Sequence, residues 1–256
     1  MKFSELDKTM RVFETAHDHC VLPGIHLVAR LDGRCFTRLT KEVHAFEAPF
    51  DVRFRDLMVA TVAHLMDCGF KINYGYTQSD EISLLFDAGE TAFQRKERKL
   101  NSVLAGEASA KLSLLLNDLA VFDCRISQLP SHRRVVDYFR WRSEDAHRNA
   151  LNAHCYWWAR KAGASPQEAT AAFMHQSVAA KNEYLFQRGI NFNDLPAWQK
   201  RGVGLYWRDY LKTTSDPLTG ATVQARRRAL HTDHELPVKD HYDAFLRQRL
   251  GAEDLP

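Results

Sequence analysis

Three acidic residues lie at the ends of predicted strands, and their types and spacing point to metal chemistry. Asp32 ends the first apolar segment, and Asp80 and Glu81 lie where residues 71–78 give way to residues 81–86. Two neighbouring carboxylates repel each other unless a proton or a cation lies between them. Mg²⁺ prefers hard oxygen ligands, usually one or two carboxylates together with substrate phosphates. The pattern therefore predicts the kind of site that two-metal nucleotidyl transfer requires.

The Asp80-Glu81 pair carries a geometric restriction. Successive residues on a regular strand point to opposite faces, so these two side chains cannot both reach one ion. We expect Asp80 to bind the metal directly. Glu81 would then support the groups that bind the metal, or would reach the ion through a distorted turn. Asp-Gly and Asp-Glu pairs are also common as solvated turn residues, and spacing alone leaves that alternative open.

Basic residues form a second group of candidates. Lys96 and Lys99 are three apart at the start of a predicted helix, so they share a face. They could contact the triphosphate of a bound nucleotide, although a solvated charged face has the same spacing.

Arginines and aromatic residues alternate along residues 132–149, a composition that suits RNA binding through phosphate contacts and base stacking. An amphipathic helix with Tyr138 and Trp141 in the core is an equally good interpretation. The run of three arginines at residues 226–228 indicates either a surface strand or a loose phosphate contact.

Hydrophobic periodicity predicts the elements that must position these residues. Short apolar segments bounded by turn residues predict strands, and apolar residues at helical spacing predict helices. The predicted order in the N-terminal half is strand 25–33, helix 49–67, strands 71–78 and 81–86, helix 91–117 and strand 119–127. This α+β arrangement, βαββαβ, is the ferredoxin-like unit. In it, the strand that ends at Asp32 and the strands joined at Asp80 are expected to be neighbours.

The C-terminal half is predicted to be mostly helical, with one small β-hairpin. Helices are expected over residues 131–162, after the N-cap residue Ser165, and over residues 179–186 and 239–249. The hairpin is expected from residues 202–214 and 222–232, joined by the turn residues 216–220. We therefore expect a palm-like catalytic unit in residues 1–130. Residues 131–256 would form a helical, RNA-contacting extension packed with it as one domain.

Composition and motif content argue against several other classes of protein. The 256 residues are 45% hydrophobic and 26% charged, and the net charge of +3 permits a nucleic-acid partner without requiring one. No signal-peptide or membrane-span pattern occurs, and the five cysteines form no CxxC pair. These features predict a cytoplasmic protein with reduced thiols and no structural zinc. Phosphate-loop, dinucleotide-binding, serine-hydrolase and zinc-protease motifs are missing from the sequence.

Two acidic motifs, in order, make the chain resemble a known family. The segments RLDGRCFTRLT (30–40) and YTQSDEISLLF (76–86), followed by FQRKERKL, DCR, AAKNEYLF and INFN, resemble the tRNA-His guanylyltransferase family. That family includes bacterial-type guanylyltransferase-like members. The resemblance covers most of the chain and implies a polymerase-like palm that extends RNA in the 3′–5′ direction.

The resemblance also implies roles for individual residues. The metal ligands would be Asp32, the Gly33 carbonyl and Asp80, with Glu81 also needed for catalysis. The residues implied to contact the nucleotide are Arg30, Asp32, Gly33, Arg34, Cys35, Phe36, Thr37, Ser79, Asp80, Lys96 and Lys99. The residues implied to bind RNA or support catalysis are Arg125, His147, Asn149, Lys181 and Asn191.

The implied reaction uses two or more Mg²⁺ ions, with ATP and GTP as substrates. ATP adenylylates the 5′-phosphate of a tRNA, the 3′-hydroxyl of GTP displaces AMP, and the new 5′-triphosphate then loses pyrophosphate. Positioning and charge stabilisation supply most of the acceleration in such in-line transfers. The resemblance further implies a homotetramer that acts on tRNA, without a membrane partner.

Some positions depart from the family pattern. The eukaryotic motif His-Ile-Asn-Asn-Leu-Tyr-Asn is HRNALNA at residues 147–153, Thr37 replaces the usual histidine, and Ala48 replaces a family lysine. These changes resemble the bacterial-type branch, which favours template-dependent addition and repair of tRNAs shortened at the 5′ end. Selection of tRNA-His is therefore left open, whereas the transfer chemistry is expected.

Two alternative functions remain open from the sequence. A palm-type nucleotidyl cyclase would convert free GTP or ATP without RNA, and the long C-terminal region rich in arginine and aromatic residues argues against it. A non-catalytic RNA-binding protein on a ferredoxin-like sheet would carry aromatic residues on its central strands. Residues 27–33 and 81–86 lack that pattern.

Overall fold

The computed structural model describes residues 1–215 and 222–250, and its strands form one six-stranded sheet. The strands are β1 (His26–Gly33), β2 (Ile72–Gln78), β3 (Glu81–Phe86), β4 (Phe122–Leu129), β5 (Val203–Ser215) and β6 (Thr222–Asp233). The helices are α1 (Phe3–Thr15), α2 (Phe36–Arg38), α3 (Val52–Leu65), α4 (Glu97–Leu116), α5 (His132–Lys161), α6 (Pro166–Phe173), α7 (Val178–Phe186), α8 (Ala197–Arg201) and α9 (Asp240–Leu250). Shorter helical turns cover Leu39–Val43, Ala92–Arg95 and Phe192–Asp194.

The sheet has the order β4-β1-β3-β2-β5-β6, and every neighbouring pair is antiparallel. Strands β1 and β2 consequently run in the same direction with β3 between them, which is the split βαβ arrangement. The predicted chain order of the N-terminal half is therefore present.

The predicted C-terminal hairpin is present as β5 and β6, but its junction with the sheet was not predicted. Val203–Tyr206 of β5 pair with Tyr74–Thr77 of β2, so the hairpin extends the sheet. Pairing between distant segments of the chain leaves no local pattern in a sequence, which is why the extension was not predicted. The predicted turn at residues 216–220 lies outside the described residues. None of the described helices is long and apolar enough to cross a membrane.

Strand β1 is buried on both faces because each face packs against a different pair of helices. Ala29 and Leu31 belong to the core formed with α3 and α4. Val28 lies in the other core, with α5 and α9. Alternate residues of a strand point to opposite faces, so Arg30 and Asp32 lie on the same face as Val28. This is the face that α5 covers.

Polar contacts stabilise the start of helix α5 and orient the helix on the sheet. The Ser131 side chain accepts a hydrogen bond from the Arg134 backbone N–H, which satisfies one free donor at the helix start. One turn further on, the Tyr138 hydroxyl lies 3.0 Å from Ser83 Oγ on β3. Tyr138 is buried, as the core interpretation predicted, whereas Trp141 is 53% exposed. The predicted cap of α6 is confirmed, because Ser165 and Glu168 form a reciprocal capping box.

Gly75 marks the closest approach between α3 and β2. A Cβ atom at this position would lie 2.6 Å from Val62 Cγ1 and 3.0 Å from Met66 Sδ. Added volume in a packed core forces neighbouring side chains out of their preferred rotamers. The helix therefore packs against a strand position that has no room for a side chain.

We predict that Gly75→Ala lowers the free energy of unfolding by about 1–3 kcal/mol, because alanine overpacks this contact. Gly106→Ala is the matched control, since Gly106 lies in α4 with nothing within 4 Å of the added Cβ. It should stabilise by roughly 0.5–1 kcal/mol through helix propensity. Urea denaturation of both variants measures these changes. A shift of the same sign in both would contradict the packing argument.

Candidate active site

The end of β1 and the β2–β3 turn bring the predicted acidic residues to one place. Asp32 lies directly opposite Glu81 in the β1–β3 register. Ser79 and Asp80 form the two-residue turn between β2 and β3, and the Gly33 backbone N–H donates to the Asp80 carbonyl at 3.1 Å. The Asp32 and Asp80 side chains line the same cleft.

The electrostatics of the two aspartates agree with their closeness. Burial raises the pKa of Asp80, and the charge of Asp32 raises it further. Removing a carboxylate from water and placing it near a like charge both disfavour its ionised form. A cation between the two would offset this cost, so the pair is suited to binding a metal ion.

Glu81 does not join that pair, because Arg142 of α5 holds it. The Arg142 guanidinium donates from Nε to Oε1 and from Nη2 to Oε2, both at 2.7 Å. Arg30 Nη1 lies 3.9 Å from Glu81 Oε2. Both side chains of the Glu81–Arg142 pair are largely buried. The two-pronged contact is the strong form of an arginine–carboxylate interaction. Of the two interpretations of residues 132–149, the contact favours a structural position for Arg142.

The donor set fits Mg²⁺ in the presence of a nucleotide. Within residues 1–215 and 222–250, no three His, Cys, Asp or Glu side chains converge into a closed metal cage. Asp32 and Asp80 provide two carboxylates, and Mg²⁺ typically takes one or two together with phosphate oxygens and water. The site is therefore suited to an ion that arrives with its nucleotide.

Backbone conformation supports the two turns that carry these residues. Cys35 and Ser79 adopt left-handed conformations, with φ of 60° and 55°. Such conformations are uncommon for residues other than glycine and cluster at functional sites. Gly33 has no room for a side chain, since a Cβ atom there would lie 2.6 Å from the Phe36 ring. The chain can turn tightly after Asp32 only because residue 33 is glycine.

The cleft has a volume of about 490 Å³ and lies between the sheet end and α5. Sequence reasoning did not single out Lys41, Phe50, Asp145 or Trp157, which line it. The Lys41 Nζ donates to the carbonyls of Glu47 and Pro49, at 2.7 and 3.1 Å. Burial lowers the pKa of Lys41.

One sequence pattern could have revealed the α5 wall of the cleft. Its lining residues Arg142, Asp145, Asn149, Ala153 and Trp157 recur every three or four positions. That spacing places them on one face of the helix. Asn149, a predicted site residue, lies on this face and donates from Nδ2 to Asp145 Oδ2 at 3.1 Å.

Lys96 and Lys99 do not lie at the cleft of their own chain. Lys96 pairs with Asp18 at 2.9 Å, and the start of α4 lies beside Gln128, which donates to Glu97 at 3.2 Å. Gln128 is opposite Leu27, at the start of β1. Asp32 is five residues further along, which corresponds to about 17 Å. The direction of α4 therefore places both lysines at the opposite end of the sheet.

The other residues of the Asp32–Thr37 stretch have different environments. Phe36 is buried against Phe54 and Phe122, although its ring also borders the cleft. Thr37 lines the cleft, whereas the side chains of Arg34 and Cys35 are exposed outside it. On β4, Arg125 lies opposite Arg30 and pairs with Asp123 at 3.2 Å.

Three predicted residues lie in the C-terminal helical part, away from the cleft lining. The His147 ring packs edge-on against Phe192 at 5.2 Å. Asn191 caps the turn Phe192–Asp194, accepting from Asn193 N and donating to Asp194 Oδ2. Lys181 of α7 borders a second surface groove, which shares Trp157 with the cleft. The structure thus groups His147 and Asn191 around Phe192, apart from Lys181.

Comparisons with known proteins cover both halves of the chain. The family described as tRNAHis guanylyltransferase matches residues 7–130, and the C-terminal domain of that family matches residues 133–245. A probable tRNA(His) guanylyltransferase of Drosophila melanogaster is 34% identical over 196 residues, which cover 73% of this chain and 68% of that protein.

Solved structures of the same family resemble the fold. A bacterial tRNA(His) guanylyltransferase-like protein in complex with ATP gives a TM-score of 0.78 at 25% identity, covering 97% of this chain and 100% of that chain. A bacterial protein of this type in complex with GTP gives a TM-score of 0.70 at 25% identity, covering 96% and 99%. The chain belongs to the tRNA(His) guanylyltransferase family and is a nucleotidyltransferase.

Proposed function

We propose that the protein is a Mg²⁺-dependent nucleotidyltransferase that adds guanylate, or templated nucleotides, to the 5′ end of tRNA in the 3′–5′ direction. The observation that supports this most directly is the pair of carboxylates, Asp32 and Asp80, lining one cleft. Among the described residues no basic side chain forms an ion pair with either, whereas Glu81 is paired with Arg142. ATP and GTP as substrates agree with the relatives solved with these nucleotides.

In this proposal residues 1–130 form a polymerase-like palm, and residues 131–256 add the opposite wall of the cleft through α5. Asp32, Asp80 and the Gly33 carbonyl would hold Mg²⁺ against the phosphates. Bound there, the metal activates the attacking oxygen and stabilises the leaving group. Arg30 also lines the cleft, where its guanidinium would add positive charge beside the phosphates.

The reaction proceeds by two nucleotidyl transfers in the cleft. A 5′-phosphate oxygen of the tRNA attacks the α-phosphorus of ATP and releases pyrophosphate. The 3′-hydroxyl of GTP then attacks the activated 5′-phosphorus, gives up its proton and releases AMP. Water finally attacks the α-phosphorus of the new 5′-triphosphate and releases pyrophosphate, which leaves a 5′-monophosphate. Contact between Lys96 or Lys99 and this nucleotide would require a second copy of the chain, as the predicted homotetramer allows. The cytoplasmic location remains a prediction.

We predict that Asp32→Asn and Asp80→Asn each reduce 5′ extension of labelled tRNA by at least about 100-fold, because each removes a charged metal ligand. Asp137→Asn is the matched control, since Asp137 is exposed on α5 and paired with Arg134. The assay contains Mg²⁺, ATP and GTP, with mono- and triphosphorylated tRNA. Undiminished extension in both aspartate variants would contradict the assignment of Asp32 and Asp80 as metal ligands. Formation of a product from the nucleotides alone, without tRNA, would favour a nucleotidyl cyclase.

Mg²⁺ should also raise the melting temperature of the wild-type protein in the presence of GTP. The rise should be lost in Asp80→Asn, because a ligand stabilises only the state that binds it. Differential scanning calorimetry with and without Mg²⁺ measures this independently of turnover. An equal rise in the variant would show that the ion binds elsewhere.

The Glu81–Arg142 pair generates a separate prediction. Arg142→Met leaves the largely buried Glu81 carboxylate without its partner and should lower the free energy of unfolding by about 3–5 kcal/mol. Adding Glu81→Gln should recover part of the loss, with a coupling energy of about 1–3 kcal/mol in a double-mutant cycle. Urea denaturation of the four proteins measures the coupling. Additive changes in the free energy of unfolding would mean that Arg142 and Glu81 do not stabilise each other.

A further inference from the structure

The β5–β6 hairpin continues beyond the rest of the sheet. Strand β2 pairs with β5 only over Val203–Tyr206, while β5 and β6 remain paired with each other out to Ser215 and Thr222. We call the part beyond β2, residues 207–215 and 222–230, the arm. The arm carries the arginine run 226–228, which the proposed catalytic chemistry does not use.

The two faces of the arm differ in charge. Directly opposite residues of antiparallel strands share a face. One face therefore carries Trp207, Asp209 and Leu211 with Arg226, Arg228 and Leu230. On it, Arg226 pairs with Asp209 at 2.6 Å, and Arg228 lies over the Trp207 ring at 4.6 Å. This face is at least partly neutralised within the chain.

The other face, which we call the basic face, is defined by Arg208, Tyr210, Lys212 and Arg227. All four residues are exposed, and the paired positions 206–212 and 225–231 place no carboxylate on this face. Among the described residues, neither Arg208 nor Arg227 has a salt-bridge partner; Arg208 donates to the Tyr206 hydroxyl at 2.7 Å. One carboxylate borders its base, where Asp233 accepts from the Tyr206 hydroxyl at 3.2 Å.

Arg249 of α9 adds a further positive charge beside this face. Its guanidinium lies over the Tyr206 ring at 4.0 Å. Arg208 and Lys212 are four residues apart on β5, which corresponds to about 13 Å. Arg227 lies opposite Tyr210, midway between them, so the three cations follow one another at about 7 Å along the strand direction. A row of cations at this spacing matches the phosphates of a nucleic-acid strand better than a single compact anion.

The basic face and the catalytic cleft lie on the same side of the sheet. Tyr206 pairs with Tyr74 and packs in the core formed with α5 and α9, and Asp32 and Glu81 lie on this side as well. Val203, at the start of β5, is opposite Thr77, next to the cleft residue Gln78. Arg208 and Lys212 are five and nine residues further on, which corresponds to about 17 and 30 Å. A mononucleotide in the cleft cannot span this distance, but an RNA stem can.

We propose that the basic face of the arm binds the phosphate backbone of the substrate RNA, away from the 5′ end that reacts in the cleft. This inference rests on the proposed function, because it assigns a contact to the same RNA. Phosphate contacts of this kind position a nucleic acid without reading its sequence. The arm therefore contributes affinity for tRNAs in general and does not select among them.

The test compares two adjacent arginines on opposite faces of one strand. Arg227→Glu reverses a charge on the basic face, and Arg226→Glu makes the same change on the neutralised face. We expect Arg227→Glu to raise the Kd for tRNA about tenfold near 0.1 M salt and to lower the slope of log Kd against log salt by at least about 1. Arg226→Glu should change the Kd less than about twofold.

Lys212→Glu, on the facing strand, provides a second variant of the basic face and should act like Arg227→Glu. GTP binding by each variant checks that the protein is folded, and sedimentation measures its oligomeric state. Equal tRNA affinities for the Arg226 and Arg227 variants would overturn the inference. So would a loss of assembly in the Arg227 variant, which would identify the face as a subunit contact. Absence of 5′ extension by the wild-type protein would instead contradict the proposed function.

Discussion

Hydrogen bonding between β1 and β3 sets Asp32 directly opposite Glu81, and this register fixes the acidic residues of the cleft relative to one another. Asp80 precedes Glu81 in a two-residue turn, so its position follows from the same pairing. Burial and the charge of Asp32 both raise the pKa of Asp80. The folded sheet thus holds two carboxylates in an arrangement that is unfavourable without a cation.

Helix α5 connects this arrangement to the core. Its first turns contact the sheet through Tyr138 and Ser83, and the next turn brings Arg142 to Glu81. Asn149 and Trp157 then continue along the cleft. The same helix packs Ala150, Leu151 and Cys155 against the C-terminal elements. Packing on the sheet therefore determines where the second wall of the cleft stands, and Glu81 is held by a group that belongs to that wall.

Much of the fold could be predicted because local patterns specify it. Short apolar segments bounded by turn residues predicted β1, β2 and β3. Two helix starts, at Ser131 and after Ser165, were also predicted and are confirmed by the structure. Long-range pairing was not accessible in this way, so the junction of β5 with β2 was missed. Helix α1 was also not predicted, although apolar residues recur at helical spacing along it, at Phe3, Leu6, Met10 and Phe13. None of its residues is buried in the structure.

The site was predictable in its acidic residues and less so in its basic ones. Carboxylates at strand ends are positioned by the strands themselves, which the sequence reveals. The position of Arg142 depends on how α5 lies across the sheet, and an arginine among aromatic residues is equally typical of an RNA surface. Lys96 is the N-cap residue of α4 and Lys99 lies in the first turn of that helix, so the direction of α4 decides which end of the sheet they reach. Lys41 has no distinctive sequence pattern around it.

The pairing of β1 and β3 also limits how homologous chains can change in length. Inserting one residue within β1 before Asp32 would turn that side chain to the opposite face of the sheet, because side chains alternate. An insertion of two would restore the face but move the carboxylate past Glu81. These strands can therefore accept substitutions far more readily than insertions or deletions. The outer part of the β5–β6 hairpin has a single partner strand, so paired residues can be gained or lost there while the catalytic acids stay in place.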